Sequence, residues 1–311
     1  MRKTGLFLMT ALVAGLTMFT SCNNDNGVVS PTFETPAYED VSAKYEVSGS
    51  SLYKSFELTA SGNYVIVKKT SYLSASKLFF GRMDEATRAT SSGDIIYGKF
   101  TKKSDTEFEL EGFGSIVIEG GTDNVVSLKI TPNGGTTMTL PAQRVEQKEA
   151  EENSFTSKIC RTWSVASYRY TIVLNGSVFF DGEYATLEDL VKALTNKAKS
   201  MGASNADELF DVPYDETPEQ ILFSKSGTYL VVYKNSTLGV STWQWKDENK
   251  GILHYSWNYD DMYDSNSSGD VHLSWRNSQL AVKEVINASD AGYDIGYSLT
   301  ITIVTYLNEV K

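Results

Sequence analysis

The 311-residue sequence predicts an all-β protein of two tandem antiparallel up-and-down barrels or half-barrels, with one helix in the second. Three observations carry that expectation. A Ser-Gly-x-Tyr motif recurs between apolar segments, once in each half. Apolar and polar residues alternate with period two along the second half, the pattern of antiparallel sheets with one wet face. A charge-rich stretch, Glu146-Gln147-Lys148-Glu149-Ala150-Glu151-Glu152, separates the halves.

The first 21 residues read as an export signal. Arg2 and Lys3 supply the positive start, and an apolar run from Gly5 to Phe19 follows. That run is short of the roughly 20 residues of a spanning helix. Phe19-Thr20-Ser21-Cys22 resembles a lipobox, so Cys22 is the expected lipidation site and the membrane the expected partner through that lipid. The outer membrane is the expected location, with the leaflet left open. Residues 22–44, polar and holding Pro31 and Pro36, read as a flexible tether. With Cys22 lipidated, Cys160 lacks an intrachain partner and reads as a small buried hydrophobe.

Residues 45–143 form the first β-domain. Phe56-Glu57-Leu58-Thr59-Ala60-Ser61-Gly62-Asn63-Tyr64-Val65 is a hairpin whose glycine supplies the positive φ of a tight turn. Ile221-Leu222-Phe223-Ser224-Lys225-Ser226-Gly227-Thr228-Tyr229-Leu230 repeats it in the second domain, residues 158–311. The next strands match as well: Ile96 to Phe100 and Glu107 to Leu110 in one half, Thr242 to Trp245 and Ile252 to Tyr255 in the other. Residues 144–157 are the linker, read as solvated chain or a short helix.

One helix interrupts the second domain, at about 186–201. Thr186 is a good N-cap, and Leu187, Leu190, Val191, Leu194, Ala198 and Met201 share a stripe that Gly202 ends. Beyond it the strands sort by face. Trp243 with Trp245, Tyr255 with Trp257 and Tyr259, Val271 with Leu273 and Trp275, and Tyr297 with Leu299, Ile301 and Ile303 share the apolar side. Burying that side requires the sheet to curl.

The strand beginning Thr162-Trp163, the Phe223-to-Tyr229 hairpin and Thr242-Trp243-Gln244-Trp245 together resemble the lipocalin-like (calycin-like) lipoproteins of Bacteroidetes. The resemblance spans about Ile159 to Tyr306 and reaches the first domain through the repeat. It implies an eight-stranded barrel, or an open version of one, per copy. The Gly-x-Trp of lipocalins is matched here by Arg161-Thr162-Trp163, with arginine in the glycine position.

With 28 basic against 39 acidic residues the net charge is −11, which argues against nucleic acid as a partner. The candidate ligand-facing set is Trp243, Trp245, Tyr255, Trp257, Tyr259 and Trp275. If they face a lumen with space, they suit a small apolar guest; otherwise they are packed core, and the chain is a non-catalytic interaction module. The alternative is a surface glycan-binding lipoprotein, with Tyr259, Tyr263 and Trp275 as a stacking platform. Asp264, Asn266, Ser268 and Asp270 lie in a stretch matching the first half of a calcium loop, but Trp275 stands where the bidentate Glu belongs. No metal or cofactor is expected. Two histidines and no nucleophile-elbow or phosphate-loop motif argue against an enzyme. The remaining enzymatic reading is a hydrolase with a carboxylate pair brought together by folding. With the apolar strands placed opposite one another, Tyr255 is expected to face Trp275, and His254 to face Arg276.

Overall fold

The computed structural model describes residues 31–69, 94–121, 124–202, 217–256, 268–287 and 298–310. They form two eight-stranded antiparallel barrels in tandem. The first is a meander of β1 (Ala43–Val47), β2 (Tyr53–Leu58), β3 (Asn63–Lys68), β4 (Ile95–Lys102), β5 (Glu107–Leu110), β6 (Gly114–Glu119), β7 (Val125–Pro132) and β8 (Met138–Arg144). β8 returns to pair with β1 and closes the ring, leaving no free edge.

A short helix, α1 (Phe155–Ile159), leads into the second barrel. There follow β9 (Thr162–Leu174), β10 (Ser177–Tyr184), α2 (Leu187–Ser200), β11 (Pro218–Phe223), β12 (Thr228–Tyr233) and β13 (Leu238–Asp247). β14 (Ile252–Ser256), β15 (Ser268–Arg276), β16 (Gln279–Asn287) and β17 (Leu299–Glu309) complete it, the eight-stranded ring being β9 with β11 to β17 and β10 an added ninth strand on β9. The long β9 has two partners on one edge: its start pairs with β11, and its remainder pairs with β10. Its other edge takes β17 along the whole length, which closes the barrel. Helix α2 begins at Thr186, whose hydroxyl accepts from the Asp189 amide at 3.1 Å. Its buried Leu190 and Leu194 pack on Tyr168, Ile172, Phe180 and Leu299.

The repeat holds at the level of individual hydrogen bonds. Gly62 and Gly227 sit at φ +80° and +82°. Asn63 donates to Thr59 Oγ1, and Thr228 to Ser224 Oγ, each at 3.1 Å. The Phe100 amide donates to Gly62 O at 3.0 Å, and the Trp243 amide to Gly227 O at 2.8 Å. Tyr38 donates to Ala60 O and lies over Phe100; Lys148 donates to Lys225 O and lies over Trp243.

The barrels meet along their outer faces. Val65, Val67 and Ile95 of barrel 1 pack on Leu222, Leu230 and Val240 of barrel 2. Polar contacts flank this apolar seam: Lys44 Nζ donates to Thr228 Oγ1 at 3.2 Å, and Thr162 Oγ1 to Asn63 Oδ1 at 3.1 Å. The thiol of Cys160 is buried nearby, and burial pushes its pKa far up.

Two expectations need correction. The tether does not extend to residue 44. Phe33 is wedged against Trp163 and Trp275, Arg161 lies over its ring, and Tyr38 caps barrel 1. Two aromatic rings in an otherwise polar stretch are enough to dock it. The register between β14 and β15 also differs: Tyr255 lies opposite Gly269, and His254 opposite Asp270. Alternation cannot separate registers that differ by an even number of residues, because every side chain keeps its face. His272, opposite Ile252, is a diagonal neighbour of His254.

Candidate functional site

The lumen of barrel 2 has two unlike halves. One end is closed by the tight turns after β11, β13 and β15 and by α1, and it is packed with rings. Phe155 stacks on Trp275 at 5.4 Å, Trp245 meets Phe155 at 5.5 Å and Trp243 at 5.6 Å, and Phe33 fills the gap beside Trp163. Indole hydrogens are anchored there: Trp163 Nε1 donates to Ile159 O at 2.9 Å, Trp243 Nε1 to Ser224 O at 3.1 Å, and Trp245 Nε1 to Thr156 Oγ1 at 2.6 Å. The buried Trp275 Nε1 has no acceptor among the described residues.

Toward the other end polar side chains appear beside an apolar cluster, in which the inward Tyr168 and Ile172 pack on Leu190 and Leu194 of α2. Cross-strand pairing fixes which side chains face inward. Val282 belongs to the core, so its partner Thr305 shares that face, as does Tyr168 across β9. One step further along, Glu284 pairs with Ile303 and Ile303 with Tyr170. Glu284 and Thr305 are therefore diagonal neighbours on one inner surface. From the facing strands come Tyr229 and Ser241, paired with each other, and Tyr255, paired with Trp243. Ser241 donates to Ser256 O. Glu284 is 5 % exposed, and Thr305 is fully buried.

The electrostatics follow from this packing. Burial pushes the hydroxyls of Tyr229 and Tyr255 well above the ordinary tyrosine value, and the nearby Glu284 charge adds to the shift. Tyr170 is pushed up to about 12, again by burial first and Glu284 second. A carboxylate thus lies among three aromatic rings. The Thr305 hydroxyl has no hydrogen-bond partner among the described residues. A fully buried hydroxyl without one costs about 1–3 kcal/mol.

Compared with known proteins, the chain matches no family model and no curated sequence. The site therefore rests on its own geometry.

Of the six aromatic residues singled out from sequence, the structure brings Trp243, Trp245, Tyr255 and Trp275 into one lumen. Trp243, Trp245 and Trp275 build its floor, and Tyr255 lies at the boundary with the polar half. Trp257 and Tyr259 lie outside the described residues, as do Cys22, Tyr263, Asp264 and Asn266. The stacking platform drawn from sequence loses Trp275, which is 8 % exposed inside the barrel. A strand that alternates cleanly sends its largest ring inward. Ser268 opens β15, and Asp270 accepts from Lys246 and from His254 Nδ1 on the outer surface. Among the described residues no group of three His, Cys, Asp or Glu could hold a metal ion.

Glu284, Thr305, Ser241, Tyr229 and Tyr170 escaped the sequence reading. The signal was available in alternation: Leu280, Val282 and Glu284 occupy one face of a single strand. Barrel 1 offers a different feature, an open groove of about 880 Å³ walled by Lys99, Lys103, Glu107 and Glu109. Glu111 also lines it, and Lys103 pairs there with Glu109.

Proposed function

We propose that the protein is a lipid-anchored, lipocalin-like lipoprotein of the outer membrane that binds a small molecule in the lumen of its second barrel. The observation that carries this reading is the polar upper lumen of barrel 2, where Glu284, Ser241 and Thr305 are buried among tyrosines. Side chains chosen only to fill a barrel would be apolar there, since each buried polar group costs stability. The tryptophan floor beneath offers a flat, apolar surface to the body of a guest.

The anchor also limits a distance. Phe33 docks at the floor, eleven positions after Cys22 with ten residues between them. Fully extended, they reach at most roughly 40 Å. A lipid on Cys22 would therefore hold the floor within roughly 40 Å of the membrane. Palmitate labelling of the wild type but not of Cys22→Ala tests the anchor. Native mass spectrometry of the mature protein from its own host tests the carrier role. A retained small molecule is the expected result; a bare polypeptide mass would count against it.

A further inference from the structure

We infer that the outer face of barrel 1 carries a binding trough for a neutral oligosaccharide, separate from the lumen of barrel 2. The groove of about 880 Å³ runs across strands β4 to β7 and falls in the size range of ligand pockets. Its floor is one cross-strand ladder. Thr101 pairs with Glu109, Glu109 with Ser115, and Ser115 with Thr131. Their chain neighbours Phe100, Phe108, Ile116 and Ile130 are buried in the barrel, so period-two alternation turns the ladder outward. Lys99 and Glu111 stand side by side on one flank, joined by a 2.9 Å bond from the Glu111 amide to Lys99 O. Lys103 and Glu107 stand on the other, joined in the same way.

Barrel 2 shows the same face when it is covered. The Phe100 and Trp243 amides occupy equivalent places, and Phe100 pairs with Leu110 as Trp243 pairs with Tyr255. Thr101, Glu109 and Ser115 therefore match Gln244, His254 and Asp270, which form the corresponding ladder. There Asp270 accepts from both His254 and Lys246, so long side chains bond to one another across the strands. In barrel 1 two of these three positions shrink to Thr and Ser, which leaves depth between the charged flanks. Two turns that border the trough add bare backbone. Gly112 and Gly134 sit at φ +75° and +67°, and a Cβ on either would meet nothing within 4 Å.

The chemistry of this surface selects by exclusion. Barrel 1 is closed, so no strand edge is open to a peptide that binds by adding a strand. Of the apolar residues that border the trough, Phe100 and Leu110 are buried and Pro132 is only partly exposed, so an amphipathic helix finds no apolar surface to cover. Two lysines and three glutamates line it together, so a polyanion and a polycation each meet like charge. A neutral polyhydroxyl chain meets none of these obstacles. Its hydroxyls donate to Glu107, Glu109 and Glu111 and accept from Lys99 and Lys103, in hydrogen bonds strengthened by the charge on the protein. The short side chains of Thr101, Ser115 and Thr131 let it lie close to the sheet.

The test is amide NMR of the mature full-length protein titrated with cellotetraose, maltotetraose, mannotetraose and xylotetraose, with tetragalacturonate and tetralysine as charged controls. At least one neutral sugar should shift the amides of Thr101, Glu109 and Ser115 to saturation, and each charged control should bind at least about tenfold more weakly. Ser115→Trp, which fills the trough, should abolish those shifts, and Glu111→Ala should weaken binding about three- to tenfold. Both side chains point away from the core, and circular dichroism establishes that each variant folds. Amides that no neutral sugar moves, a charged control that binds as tightly, or unchanged binding by a folded Ser115→Trp overturns the inference. Sugar-induced shifts confined to barrel 2 overturn it as well but support a guest in that lumen, so the two readings fail separately.

Discussion

Barrel 1 and barrel 2 share a meander, a turn and its hydrogen bonds, yet fill their lumens differently. In barrel 1, Phe56, Phe100, Phe108, Phe113, Ile116, Leu128 and Ile130 run through the interior as one apolar cluster. Tyr64 lies over Gly98, where a Cβ would stand 2.8 Å from its ring, and gives its hydroxyl to Glu111 O at 2.7 Å. In barrel 2 the corresponding tyrosine, Tyr229, faces a serine instead and shares the lumen with Glu284. One copy thus uses its interior for stability, and the other gives up part of that stability for polar groups. The same backbone tolerates both because closure depends on the strand ladder, while the lumen is set by a few inward positions.

The contrast can be broken most severely by moving the polar group. Ile130→Glu puts a carboxylate into the apolar lumen of barrel 1 and should cost at least about 3–5 kcal/mol in urea unfolding, as an uncompensated buried charge does. Glu284→Ile should cost far less in the same assay. Comparable losses would mean that the two interiors are alike.

The next effect concerns what each barrel borrows. Phe33 precedes barrel 1 in sequence but packs in barrel 2. Phe33→Ala should destabilise the protein by about 2–3 kcal/mol, less than a fully buried ring because Phe33 is only partly buried. The loss should appear first in tryptophan fluorescence, since Trp163 and Trp275 are its neighbours. An unchanged spectrum and midpoint would detach the segment from the floor.

The hairpin turns give a matched pair. Gly62→Ala and Gly227→Ala each force a side chain into positive φ, and each should cost about 1 kcal/mol. At Gly62 the added Cβ also meets the Tyr38 ring at 2.9 Å, and at Gly227 it meets the Trp243 carbonyl at 3.2 Å. Similar losses support equivalent turns; a silent substitution at either glycine would separate them.

The smallest expected effect is in acid. Arg169 lowers the pKa of Asp181, and Arg276 that of Glu183, by hydrogen bonding. A carboxyl depressed in the folded state adds stability above its unfolded pKa, and that stability is lost as pH falls through the folded value. Both pairs are more than a third exposed, so Arg276→Ala should change the loss of stability below about pH 4 by less than about 1 kcal/mol. At the alkaline end the sign is opposite. Tyr97 and Tyr170, pushed up to about 12, give stability that is complete below pH 10 and declines as pH rises through 12.

Much of this architecture was legible in the sequence, for identifiable reasons. The Ser-Gly-x-Tyr turns announced themselves because only glycine takes their φ without strain. Helix α2 was readable from Thr186 and its apolar stripe, and the inward faces from period-two alternation. The β14–β15 register was not, because pairing Tyr255 with Gly269 or with Trp275 buries the same side chains. Docking of Phe33 was hidden because an isolated ring in a polar stretch has no period. Glu284 was missed because Lys283 beside it makes the pair look like a solvated charge patch. Alternation with Leu280 and Val282 is what turns Glu284 inward and Lys283 outward.

The most direct test of the whole account is the unfolding free energy of Thr305→Val, a change that keeps shape and removes one hydroxyl. If the upper lumen is built for a guest, the ligand-free protein loses no hydrogen bond and should be stabilised by about 1 kcal/mol. Destabilisation by a similar amount would make the hydroxyl a structural partner and contradict the division of labour between the two barrels.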